Sequence, residues 1–217
     1  MDNIKLVIFD LDGTLVDAYQ AIIRSFNHTM RHLKYTIQTD EVIRRAVGFG
    51  DENLLRPFVK EEDLKKALKI YRQHHRISLV RYSRLFPRVK ELLRYLKMKG
   101  YKLAVASNRP TRFSRILLRH LKLTGYFDYA LCADKLKNRK PHPQILNRIM
   151  RKLSVKPKEA VYVGDMTVDA EAGRRAKVIT VMVTTGSSTK KELKNEKPSY
   201  IIPKVWDLTG ISLDTRL

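Results

Sequence analysis

Asp10 and Asp12 stand one residue apart in the segment DLDGTLVD, directly after the apolar run Ile4–Phe9. Positions i and i+2 on an extended strand point to the same side, so Asp10 and Asp12 share a face. A tight turn through Gly13 follows directly, so both carboxylates stand at the end of the strand. Two acids held that close repel unless a cation or a shared proton intervenes. The pair suits a carboxylate nucleophile beside a divalent cation with oxygen ligands. A helix N-terminus capped by Asp12, with Asp10 merely ending a strand, would use the same residue types for structure alone.

Further along, Ser107–Asn108 offer a hydroxyl and an amide able to donate to a phosphate oxygen. Lys140 precedes Pro141–His142–Pro143, and Gly164–Asp165 is followed by Asp169. Each has a plain structural use by itself. Ser107–Asn108 would cap a helix, Lys140 would be a surface lysine, and Gly164–Asp165 would be a strand-to-loop turn. Their order links them, because each follows a predicted strand. Acids that hold magnesium, with Lys140 and Ser107 orienting the transferring oxygens, are the parts that phosphoryl transfer needs.

The elements that must position these groups are legible as apolar runs alternating with amphipathic stretches. That pattern predicts an α/β fold, a Rossmann-like doubly wound parallel sheet with helices on both faces. Strands are predicted at Leu6–Phe9, Leu103–Ser107, Tyr129–Cys132, Ala160–Val163, Ile179–Val183 and Tyr200–Ile202, and helices at Arg88–Lys99, Pro143–Leu153 and Asp169–Ala176. The segment 18–85 has no convincing strand and reads as helices over Ala18–Leu33, Asp40–Val47 and Glu61–Tyr82. It is expected to be an inserted α-helical cap, leaving 1–17 and 86–217 as the catalytic core. In such sheets ligands bind beyond the carboxyl ends of the strands, where all four groups fall.

The formal charge is +22, and between Arg109 and Lys158 the only acids are Asp128 and Asp134. That field attracts anions, including phosphorylated metabolites. Arg112, Arg115 and Arg119 at helical spacing describe a solvated face, and no aromatic platform is interleaved with them. Nucleic acid is expected to bind only non-specifically at low salt. One cysteine, Cys132, cannot form an internal disulfide and reads as a buried thiol. No apolar run approaches the roughly 20 residues of a membrane span, and no signal peptide is evident. A soluble cytoplasmic protein, monomer or homodimer, is expected. The histidines show no zinc spacing, and His74–His75 read as surface residues on a basic helix.

The ordered set DLDGTLVD, Ser107, Lys140 and GDMTVD (Asp165 to Asp169) resembles the four motifs of the haloacid dehalogenase (HAD) superfamily. The helical insertion looks like that family's small cap. The resemblance implies Asp10 as the nucleophile forming an aspartyl-phosphate, and Asp12 as the acid that protonates the leaving oxygen and then activates water. It implies phosphate binding by Ser107, Asn108 and Lys140, and magnesium held by Asp10, the backbone carbonyl of Asp12, and Asp165. Asp169 and Thr14 would support the site, while Asp17 looks structural. An acid at position 12 favours phosphate-ester chemistry, since dehalogenases lack one there.

Val47–Gly48–Phe49–Gly50 is similar to the cap loop of phosphoglycolate phosphatases, which marks Gly48, Phe49 and Gly50 as specificity candidates. Ser107–Asn108–Arg109–Pro110–Thr111 resembles their second motif with Arg109 in place of the usual lysine. Ala176–Lys177 departs from a common Ala-Gly. A small phosphorylated metabolite, phosphoglycolate-like, is the expected substrate of a phosphoric monoester hydrolase. The alternatives are a phosphomutase of the β-phosphoglucomutase kind, a pyrophosphatase, or a basic nucleic-acid-binding protein on the same scaffold.

Overall fold

The computed structural model describes residues 4–211, so residues 1–3 and 212–217 of the expected core segments lie outside the described residues. In chain order the strands are β1 (Leu6–Phe9), β2 (Val16–Asp17), β3 (Arg84–Leu85), β4 (Lys102–Ser107), β5 (Tyr129–Cys132), β6 (Ala160–Gly164), β7 (Ile179–Val183) and β8 (Tyr200–Ile202). The helices are α1 (Tyr19–His32), α2 (Asp40–Ala46), α3 (Asp51–Leu55), α4 (Leu64–Tyr82), α5 (Val89–Met98), α6 (Thr111–His120), α7 (Gln144–Lys152), α8 (Thr167–Ala176) and α9 (Lys190–Asn195). All six expected strands are present to within one residue at each end.

Those six strands form one parallel sheet in the order β5-β4-β1-β6-β7-β8. β1 reads Leu-Val-Ile-Phe and is buried throughout, because a parallel sheet covered on both faces needs apolar residues at every position. Val7 and Phe9 join a cluster with Leu92 and Leu96 of α5 and Phe113 and Leu117 of α6. Leu6 and Ile8 join a second cluster with Ile145 and Ile149 of α7 and Ala172 of α8. Burying each large apolar side chain contributes roughly 1.5–3 kcal/mol, which is how one four-residue strand anchors two layers.

Helices α1 to α4 carry a separate cluster that includes Phe26, Met30, Ile43, Leu55, Leu64 and Tyr71. Where the chain enters and leaves this helical segment, β2 pairs antiparallel with β3, Val16 opposite Leu85. Two-residue strands carry too little periodicity to be seen in the sequence. Asp17 is structural, its Oδ1 accepting the Tyr19 backbone N–H at 3.2 Å where α1 begins. Among the described residues no helix is long and apolar enough to cross a membrane.

From β1 the chain moves outward to β4 and β5, then returns to β6 on the other side of β1. The carboxyl ends of β4, β1 and β6 thus flank the point where strand order reverses, the place such sheets leave a crevice.

The Ala176–Lys177 departure has a local consequence. Lys177 closes α8 in the left-handed region, φ 59° and ψ 35°. That conformation costs a residue with a Cβ roughly 1–2 kcal/mol, against about 0.5–1 kcal/mol for glycine's extra freedom when unfolded. Lys177→Gly is therefore expected to stabilise the fold by about 0.5–1 kcal/mol. Urea unfolding checks this, and an unchanged or lower midpoint would contradict it.

Candidate active site

Phe9 lies in register with Val105 of β4 and Val163 of β6. One or two residues beyond that row come Asp10, Ser107 and Asp165, so three neighbouring strands deliver them to one place. The Asp10 backbone N–H donates to the Val163 carbonyl at 2.9 Å, extending the pairing to the site itself. Lys140 arrives from the loop between β5 and α7 and is buried, its side chain 3% exposed.

The Lys140 ammonium is the hub. Its three N–H groups are shared among four acceptors: Asp10 Oδ1 at 2.7 Å, Asp169 Oδ1 at 2.7 Å, Tyr162 Oη at 2.9 Å and the Ala106 carbonyl at 3.1 Å. Tyr162 in turn donates to Asp169 Oδ1 at 2.6 Å. Burial opposes the lysine's charge, but Asp10 and Asp169 outweigh it and hold the ammonium above its ordinary range. Asp169 is fully engaged, because Oδ2 accepts the backbone N–H groups of Asp165 and Met166 at the start of α8.

One cation faces three buried acids. Oxygens of Asp10, Asp165 and Asp169 lie within 4.8 Å of one another. Burial pushes Asp10 up to about 7; Lys140 opposes the rise, while Asp169 and Asp12 add to it. Burial, then Asp169 and Asp10, push Asp165 well above the usual carboxylate range.

Asp165 Oδ1 accepts from Thr14 Oγ1 at 3.0 Å, whereas Oδ2 is buried with no hydrogen-bond partner among the described residues. A Cβ at Gly13 would stand 2.3 Å from that oxygen, and one at Gly186 only 1.7 Å, so glycine at both positions keeps space around it. Carboxylate ligands, an unpaired buried oxygen and excess negative charge fit a hard divalent cation. Asp10 and Asp165 have capacity to hold it; Asp169 does not.

Asp12 faces elsewhere. Both its oxygens are taken by Arg109, with Nε to Oδ2 at 2.8 Å and Nη2 to Oδ1 at 2.6 Å. The Asn108 side chain is also committed. Nδ2 donates to the carbonyls of Gly48 at 2.8 Å and Lys140 at 3.2 Å, and Oδ1 accepts the Lys140 N–H at 3.0 Å. Ser107 Oγ accepts the Arg109 N–H at 3.2 Å, which leaves its proton for another acceptor. These groups border a cavity of about 60 Å³, walled on the far side by Ile22, Val47, Leu54 and Tyr71 of the helical segment.

A model of the haloacid dehalogenase-like hydrolases matches residues 7–183. The chain belongs to that family.

By sequence it is 30% identical over 207 residues to the phosphoglycolate phosphatase of Aquifex aeolicus, covering 95% of this chain and 96% of that one. It is 31% identical to the pyrophosphatase PpaX of Bacillus mycoides, with coverage of 96% and 97%. A crystal structure of a predicted phosphoglycolate phosphatase from Haemophilus somnus superposes with a TM-score of 0.91 at 28% identity, covering 96% and 98%. The expected α/β class and the reading as a HAD-family phosphoric monoester hydrolase both stand.

In this HAD hydrolase the structure brings Asp10, Ser107, Lys140, Asp165, Asp169 and Thr14 together as one buried cluster. Of the loop candidates, Gly48 and Gly50 line the cavity. Phe49 is 38% exposed and does not line it; its carbonyl accepts from Arg139 Nη1 at 2.5 Å. His75 corrects the surface reading. It is 2% exposed, because the core-facing side of α4 carries it against Tyr71 and Phe113. Its neighbour His74 is half-buried and stacks on His28 with ring centroids 4.1 Å apart. Sequence reading also missed Tyr162, which looks like any strand residue, and Gly186, which carries no functional group.

Asp10 titrates higher in the folded chain than its ordinary 3.8, so the fold holds an extra proton up to about pH 7 and this contribution is lost as pH rises through that window. A divalent cation competes with those protons. The gain in Tm on adding the cation is therefore expected to grow from pH 5 to pH 8 and to vanish in Asp165→Asn. Thermal melting at both pH values checks it, and an equal gain in the variant removes Asp165 from the ligand set.

Proposed function

We propose that the chain is a magnesium-dependent phosphatase that hydrolyses a small phosphomonoester, phosphoglycolate-like, through an aspartyl-phosphate on Asp10. The observation that carries this is Asp10 at the end of β1, bonded by Lys140 on one oxygen and placed beside Asp165. A carboxylate so held has an oriented oxygen left to attack phosphorus. Serine and lysine beside it match the charge of a phosphoryl group.

The residues divide the work. Asp10 attacks phosphorus, and the P–O bond to the alcohol breaks. Asp12 gives its proton to the departing oxygen. Water then attacks the phosphorus of the aspartyl-phosphate while Asp12 takes a proton back, and the bond to Asp10 breaks to free inorganic phosphate. Magnesium on Asp10, Asp165 and the Asp12 carbonyl would supply the positive charge that keeps the two acids ionised and offsets the phosphoryl oxygens. Lys140 holds Asp10 still, and Asp169 with Tyr162 holds Lys140.

Size supports a small substrate. The cavity of about 60 Å³ is far below the roughly 300–1,000 Å³ of pockets for drug-sized ligands. The helical segment would act as the cap that closes this space from water. Pyrophosphate is the second reading, favoured by the similarity to the PpaX pyrophosphatase and by its lack of any bulky leaving group.

Phosphate release across 2-phosphoglycolate, sugar phosphates, nucleotides and pyrophosphate, with and without magnesium, tests both readings. Turnover is expected to require magnesium, to favour the smallest esters, and to fall at least about 10³-fold in Asp10→Asn, as loss of a covalent nucleophile does. Substantial turnover by a clean preparation of that variant would remove Asp10 from the nucleophile role. Preference for pyrophosphate would select the second reading.

A further inference from the structure

We infer that Arg109 and His75 are positioning residues for Asp12, so that helix α4 of the inserted segment sets the geometry of the core's proton donor. This rests on the reading of Asp12 as general acid and base.

The guanidinium is buried, its side chain 6% exposed, and three of its nitrogens are spoken for. Nε and Nη2 fork onto Asp12, and Nη1 lies 2.8 Å from His75 Nε2. An Arg N–H can only donate, so His75 Nε2 must present its lone pair. The other side of the ring agrees. Ser25 Oγ gives its proton to the Ala21 carbonyl at 2.7 Å, which leaves its oxygen to accept from His75 Nδ1 at 3.2 Å. Ser25 Oγ also lies 3.2 Å from His74 Nδ1, but the Arg109 contact by itself fixes the ring: with Nε2 accepting, the imidazole is neutral and carries its proton on Nδ1. Burial and the facing Arg109 both disfavour its charged form. Tyr71 stacks on the ring at 4.9 Å and Phe113 meets it edge-on at 5.0 Å, so the acceptor is fixed in direction.

The chemistry explains what a fork does in this chain, where a guanidinium stands in place of the lysine usual in the resembled motif. With both oxygens on Arg109, Asp12 must free one before it can pass a proton to a leaving oxygen. A guanidinium can give up one bond and hold the carboxylate by the other; an ammonium has no second planar arm. After the proton leaves, Asp12 is an anion, and the two-bond clamp seen here is the arrangement that receives it. His75 keeps the guanidinium plane from turning while one arm is released.

The test compares kcat/KM for the best alkyl phosphomonoester of the panel with that for p-nitrophenyl phosphate. The nitrophenolate is a good leaving group and needs little protonation. Arg109→Lys and His75→Phe are expected to lower the alkyl value about 10²-fold, the scale of general acid catalysis, and the nitrophenyl value less than about 10-fold. His75→Gln, which keeps an acceptor, should recover most of the loss. Equal losses on both substrates in Arg109→Lys, or a His75→Gln no better than His75→Phe, would overturn the inference. Asp12→Asn separates the two claims. If it shows no selective loss, the reading of Asp12 fails; if it does while Arg109→Lys does not, the positioning role fails. Should His75→Phe not fold, Arg109→Lys still decides, since His75 acts through it.

Discussion

The site depends on one buried ammonium. Lys140 Nζ touches Asp10, Asp169, Tyr162 and a backbone carbonyl at once, with its side chain only 3% exposed. Parallel pairing forces Asp10 and Asp165 into adjacency, since each follows a strand in register with the other. The lysine has to come from a loop, and a loop side chain stays buried only if it is held. Asp169 and Tyr162 do that from one side and Asn108 from the other. Loss of one partner from a buried ion pair typically costs about 3–5 kcal/mol, so the cluster is also part of what keeps the strand ends together. The remaining negative charge makes the place a cation site by electrostatics as well as by ligand type.

Two carboxylates one residue apart end up in unlike surroundings. Asp10 sits among acids and a lysine, with its pKa pushed up to about 7. Asp12 rests in a guanidinium fork. The chain bends at Leu11, between them, and that separation lets one serve as nucleophile and the other as proton carrier. Finding neighbouring acids in different environments is the general sign of divided roles.

Much of this was legible in the sequence, for physical reasons. Continuous apolar runs such as Leu6–Phe9 and Ala160–Val163 mark strands buried on both faces, and polar residues just beyond them must lie at strand ends. The less legible parts were contacts made across the fold. β2 and β3 pair across the whole helical segment and are too short to show a period. His75 looked like half of an exposed pair because its burial depends on which side of α4 meets Phe113. Arg109 was visible as a substitution in a motif, but its fork onto Asp12 spans 97 residues. Gly186 contributes only the absence of a side chain beside Asp165, and composition does not reveal an absence.

Asn108 spends both N–H bonds of its amide on two carbonyls, one in the inserted segment at Gly48 and one at Lys140. The amide is a strut with one foot on each side of the crevice. Any motion that lifts residue 48 from the sheet strips a donor from a largely buried group, at a cost of about 1–3 kcal/mol unless water replaces the carbonyl. The same amide grips the main chain of the lysine loop. Access to the crevice and the seating of its central charge are therefore mechanically one variable, and neither can change without strain reaching the other.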